Sequence, residues 1–131
     1  MASVLFLCVH NAGRSQMAAG FARAYAGEEV GVFSGGSEPG TEVNPVAVQA
    51  MAEVGIDIAG EQPHRWSDGH IRSADVVVTM GCGDECPVFQ GVRYVAWELA
   101  DPAGRAIEEV RPIRDEIEQR VKGLLKELTA T

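Results

Sequence analysis

Hydrophobic and polar positions along the chain alternate between short apolar runs and longer helical stripes. Val4-Leu5-Phe6-Leu7 is a continuous apolar run, as expected of a strand buried on both faces, and Ser15 to Ala26 reads as an amphipathic helix. Val30 to Ser34 is a second strand, closed by Gly35-Gly36 and a turn-rich stretch through Gly40. Asn44-Pro45 reads as an N-cap and first helical residue. Ala47, Ala50, Met51 and Val54 follow at helical spacing, and Gly55 ends the helix. Ile56 to His64 is irregular, Ser67 caps a short helix to Ser73, Val76-Val77-Val78 is a third strand ending at Thr79-Met80, and Val92 to Val95 is a weaker fourth. A long final stripe, Val110, Ile113, Ile117, Val121, Leu124, Leu125 and Leu128, is helix core with solvated charges between, and it either starts near Pro112 or bends there.

This order implies an α/β fold: one domain over residues 1–131, with a four-stranded parallel sheet flanked by helices on both faces. In such sheets ligands bind beyond the carboxyl ends of the strands, at a topological switch point. The chain carries 131 residues and a net charge of -8, which argues against general nucleic-acid or anionic-membrane binding. The N-terminal apolar run is too short for a signal peptide, and nothing approaches a membrane span. Three cysteines suit a reducing cytoplasm better than a secreted disulfide framework.

The candidate chemistry sits where the first strand turns into the first helix. Cys8-Val9-His10-Asn11-Ala12-Gly13-Arg14-Ser15 places a thiol and a guanidinium at the two ends of a short loop, with room for a tetrahedral oxyanion between. The free N–H groups and positive dipole end of the helix favour an anion there, and they favour the thiolate form of Cys8. Arg14 offers a planar fork of donors that matches two oxygens. Gly13 and Asn11 are the residues that most readily take left-handed backbone angles, and Ser15 either caps the helix or hydrogen-bonds the thiolate. His10 either biases the thiolate or faces solvent. His64 and His70 read as surface residues, and Trp66 and Trp97 as packing anchors.

Two further stretches belong to the same edge. Cys82 and Cys86 follow the third strand. They stand about 13 Å apart in an extended chain and about 6 Å apart in a helical turn, against a disulfide reach of about 7 Å. They bridge only if the loop coils; a zinc half-site and two inert thiols are the other readings. Asp101-Pro102 follows the fourth strand, where the Asp is either a turn residue or a proton donor to a leaving oxygen.

Cys8-x5-Arg14-Ser15 near the N-terminus with Asp101-Pro102 late in the chain resembles the low-molecular-weight protein tyrosine phosphatase superfamily, of flavodoxin-like topology. Asn11, Arg14-Ser15-Gln16-Met17-Ala18, Asn44-Pro45 and Asp101-Pro102-Ala103-Gly104 are more similar to the arsenate reductases built on that fold. The resemblance implies arsenate held by residues 9–15, with phosphate or sulfate able to take its place. It implies a Cys8-arsenic adduct, Asp101 as proton donor, and resolution through Cys82 and then Cys86. It implies no bound cofactor but an external thiol reductant, either thioredoxin or mycothiol with a mycoredoxin/glutaredoxin-like protein. Some members bind potassium beside the loop through carboxylates. Ala19 and His64 stand at the matching positions, so no metal is expected. A phosphatase working through a phosphocysteine and a non-catalytic oxyanion-binding module are the alternative functions. The cysteine pair is more closely spaced here than in thioredoxin-linked members.

Overall fold

A computed structural model describes residues 2–81 and 88–129 of the protein. The elements run β1 (Ala2–Cys8), α1 (Arg14–Ala26), β2 (Val30–Gly36), α2 (Pro45–Ala52), α3 (Asp68–Ser73), β3 (Val76–Thr79), β4 (Arg93–Ala96) and α4 (Ile107–Thr129). All neighbouring strands are parallel, in the order β2-β1-β3-β4. The chain leaves β1 for one side of the sheet and later crosses to the other. The switch point therefore lies at the carboxyl end of β1, where Cys8 pairs with Gly36 and Leu7 with Thr79.

The period-two alternation of a strand divides the core. Val4, Phe6 and Cys8 of β1, with Val76 and Val78 of β3, pack with Met17, Phe21, Ile117 and Val121 of α1 and α4. Leu5, Leu7 and Val77 point the other way, onto Trp66, Ile71 and Ala74 around α3. Both tryptophans are buried anchors.

The helix boundaries follow their signals. Asn44 Oδ1 accepts from Val46 N at 2.9 Å with Pro45 in the first turn, and Gly55 takes φ 81° after α2. Ser67 Oγ accepts from His70 N at the start of α3. Two boundaries differ from the sequence expectation. β2 continues through Gly35 and Gly36, because neither carries a Cβ: one at Gly35 would lie 2.8 Å from Trp66 Cα, and one at Gly36 2.6 Å from Val9 O. α4 begins before Pro112 and runs through it, with Pro112 in the second turn.

α4 is fastened to α2 by ions as well as by packing. Arg114, 8% exposed, donates to Ala50 O at 2.9 Å and to Glu53 Oε1 at 2.7 Å, while Arg111 reaches Glu53 Oε2 at 2.7 Å. Hydrogen bonds from Arg111, then from Arg114, hold the Glu53 carboxyl down at about 2. Among the described residues, no helix is long and apolar enough to cross a membrane.

Candidate active site

The loop between β1 and α1 is shaped by a segment far from it in sequence. The carbonyls of Val9, His10 and Ala12 accept hydrogen bonds from the amides of Glu38, Gly40 and Asn44, at 2.8, 2.9 and 2.8 Å. A trans peptide points its N–H opposite to its C=O. Tying these three carbonyls to one side therefore turns the amides of His10, Asn11 and Gly13 to the other. Asn11 N does reach the Cys8 sulfur, at 3.2 Å. The remaining turned amides, with the amino end of α1, make the concave donor surface that an oxyanion needs.

Asn11 is the hub of this arrangement. It is fully buried and takes the left-handed angle expected of it, φ 51°. Its Nδ2 donates to Ser15 Oγ at 2.7 Å, and its Oδ1 accepts from Gln16 Nε2 at 3.2 Å and from His64 N at 3.1 Å. Ser15 Oγ in turn lies 2.9 Å from Cys8 Sγ. Of its two expected roles, Ser15 thus takes the one at the sulfur; the cap position of α1 is Gly13, which offers no side chain. A hydroxyl already accepting from Asn11 has its own proton free to point at the Cys8 sulfur.

Gly13 is needed for a different reason from the one its sequence context suggests. Its φ is -130°, outside the left-handed region. What excludes a side chain is Pro102, whose Cγ would stand 2.7 Å from a Cβ at Gly13. The Cys8 loop and the Asp101-Pro102 turn therefore touch directly. Gly81 does the same for Arg14: it has φ 101°, and a Cβ there would lie 2.7 Å from an Arg14 terminal nitrogen.

Arg14, mostly buried, donates to Leu99 O at 3.3 Å and lies 3.6 Å from Asp101 Oδ2. Asp101 is half exposed and accepts from Ala103 N at 3.0 Å, so it is at once a turn residue and a member of the cleft. Cys8, 2% exposed, lies on the floor of a cleft of about 300 Å³ walled by the loop, by Glu42 to Pro45, and by Asp101 to Gly104. Among the described residues its lining contains no Phe, Tyr or Trp.

His10 lines the cleft too, and its Nδ1 lies 2.9 Å from Glu38 O. A carbonyl only accepts, so Nδ1 carries the proton and Nε2 is the free nitrogen. The structure thus brings together Cys8, Val9, His10, Asn11, Ala12, Gly13, Arg14, Ser15 and Asp101. Cys82 and Cys86 lie outside the described residues. No group of three metal-ligating side chains occurs among the described residues. Sequence reading did not find the segment 37–44, whose amides orient the loop, nor the buried Gln16 that supports Asn11. Gly36, Gly40 and the Asn44-Pro45 cap were the signals of that segment, read there only as punctuation.

Comparison with known proteins agrees with this geometry along the chain. A family model described as low molecular weight phosphotyrosine protein phosphatase matches residues 3–131. Arsenate reductase 2 of Staphylococcus saprophyticus is 41% identical over 124 residues, covering 92% of this chain and 93% of its own. The glutaredoxin arsenate reductase of Synechocystis sp. is 36% identical over 133 residues, covering 98% of this chain and 100% of its own. A solved structure of a thioredoxin-dependent arsenate reductase from Corynebacterium glutamicum superposes with a TM-score of 0.85 at 42% identity. That match covers 97% of this chain, which spans 61% of the length of that one. With the family model running from β1 through the Cys8 loop and Asp101 to the last helix, this chain belongs to the low molecular weight phosphotyrosine protein phosphatase family.

Proposed function

We propose that this protein is an arsenate reductase acting in the cytoplasm in arsenic detoxification. The observation that carries the reading is a buried thiol on the floor of a small cleft that holds Arg14 and Asp101 and, among the described residues, no Phe, Tyr or Trp. Such a cleft suits a compact inorganic oxyanion, whereas an aryl ester finds no large aromatic side chain to pack against. The relatives named as arsenate reductases support it.

In the first step the Cys8 thiolate attacks arsenic, and an arsenate oxygen leaves as water after taking a proton from Asp101. The turned loop amides and Arg14 stabilise the charge on the remaining oxygens. In the second step a thiolate attacks the Cys8 sulfur. The sulfur–arsenic bond breaks toward arsenic, its electron pair reduces pentavalent to trivalent arsenic, and arsenite leaves behind a disulfide. We assign that thiolate to Cys82, with Cys86 passing the disulfide outward to thioredoxin. The similar protein named thioredoxin-dependent supports this assignment. Attack by mycothiol, followed by a glutaredoxin-like protein, is the competing route, and a similar glutaredoxin-named reductase speaks for it.

The test is NADPH oxidation with arsenate, in the presence of thioredoxin and its reductase or of mycothiol and a glutaredoxin-like protein. Arsenate-dependent turnover with one system is expected. Its absence with both, alongside rapid hydrolysis of an aryl phosphate, overturns the reading in favour of a phosphatase. Cys82→Ser is expected to stop turnover with thioredoxin, and full activity in that variant removes the relay.

A further inference from the structure

The charges around the cleft are unevenly distributed. Among the described residues its lining carries one permanent cation, Arg14, two carboxylates, Glu42 and Asp101, and one imidazole, His10. Asp101 is already engaged with Arg14 and with Ala103 N. Glu42 is exposed, and among the described residues its carboxylate has no hydrogen-bond or ion-pair partner. Its backbone is nevertheless held beside the cleft, because the amides of Gly40 and Asn44 on either side of it are bonded to the loop carbonyls of His10 and Ala12.

An anion therefore meets two opposing fields. At the floor, backbone amides, the α1 terminus and Arg14 attract it at short range. Farther out, the unpaired Glu42 carboxylate repels it, more gently and over a longer distance. A bare oxyanion seated at the floor gains the first field and feels little of the second. An ester carries its substituent outward, past Glu42.

We infer that Glu42 is a specificity-determining residue that reads the charge of whatever protrudes from the bound oxyanion, disfavouring anionic substituents and tolerating cationic ones. This rests on the loop as an oxyanion site, not on arsenate turnover, so its test needs no reductase activity. Phosphomonoesters whose substituent is anionic are disfavoured at the mouth, by charge, before the chemistry begins.

The experiment measures binding of three isosteric monoesters to the full chain carrying Cys8→Ser, repeated with Cys8→Ala so that one poorly folded variant does not decide the outcome. The probes are phenyl phosphate, 4-carboxyphenyl phosphate and 4-(trimethylammonio)phenyl phosphate, by calorimetry at low ionic strength, where an exposed carboxylate acts farthest. The cationic ester is expected to bind roughly tenfold more tightly than the anionic one, as two unit charges of opposite sign near one carboxylate imply. Adding Glu42→Gln should narrow that gap to about threefold, and Glu42→Lys should all but abolish it, because only the interaction with the substituent changes. A gap untouched by Glu42→Gln, an equal change for all three esters, or no ester binding at all overturns the inference.

Discussion

The Cys8 loop and the turn that carries Asp101 face the same cleft, yet they are held in different ways. The loop is tied through three of its carbonyls to residues 38, 40 and 44, and Asn11 braces it from inside with bonds to Ser15, Gln16 and His64. Asp101 is half exposed, and its carboxylate is secured by an adjacent amide and a 3.6 Å ion pair. The difference matches the work asked of each. Anion stabilisation needs donors already in place; a proton donor must bind a proton, release it and pick up another, which suits contact with water. Besides the bonds of Arg14 to Leu99 O and Asp101, the two regions meet sterically, Gly13 against Pro102.

The sharpest way to separate them is Asp101→Asn. The first chemical step should slow by about a hundredfold or more, read as pre-steady-state adduct formation. Phosphate should bind at least as tightly, since Arg14 is then relieved of its carboxylate partner. Equal rates would remove Asp101 from the chemistry. Next in size is Gly13→Ala, whose methyl pushes Pro102 away. We expect about a tenfold loss of activity, and the loss should largely vanish when Asp101 is already Asn, because both changes act through the same turn. Full additivity in that double-mutant cycle would mean that the contact serves the loop alone.

Asn11→Ala tests the bracing. Leaving Ser15, Gln16 and the His64 amide without their partner should lower stability by about 2–3 kcal/mol, measured by urea denaturation, with a smaller fall in activity. The smallest effect lies away from the cleft. Glu53 titrates at about 2 when folded, against the ordinary 4.5, so its ion pairs with Arg111 and Arg114 stabilise the fold above pH 4.5. That contribution fades as the pH falls toward 2. Glu53→Gln should therefore flatten part of the acid limb of the stability curve, and an unchanged limb would show that the α2–α4 clasp contributes nothing.

What was legible in the chain was what neighbours decide. The apolar run at Val4 to Leu7, the Asn44-Pro45 cap and the Cys8-to-Arg14 spacing are local signals, and each element formed where they pointed. The parallel sheet followed from alternation of strands and helices. What was not legible depended on chain segments meeting from a distance. Gly13 looked like a left-handed backbone position, but it is needed because Pro102, far along the chain, sits where its side chain would be. Gly36 looked like the end of a strand; it does end β2, and it is also where the loop backbone comes too close for a Cβ. Ser15 kept two roles until Asn11 was seen to bond it. The orientation of the His10 ring depended on a carbonyl 28 positions away.

The three tied carbonyls also have a thermodynamic consequence. Because they are held by this chain's own amides, the donor surface exists before any ligand arrives, and capture of an oxyanion involves no ordering of the backbone. Association should then be limited by encounter, and the heat-capacity change on binding should be small, since little apolar surface is hidden in the process. A receptor of this kind responds to an anion without changing shape, so whatever movement the catalytic cycle requires must come after the sulfur has reacted.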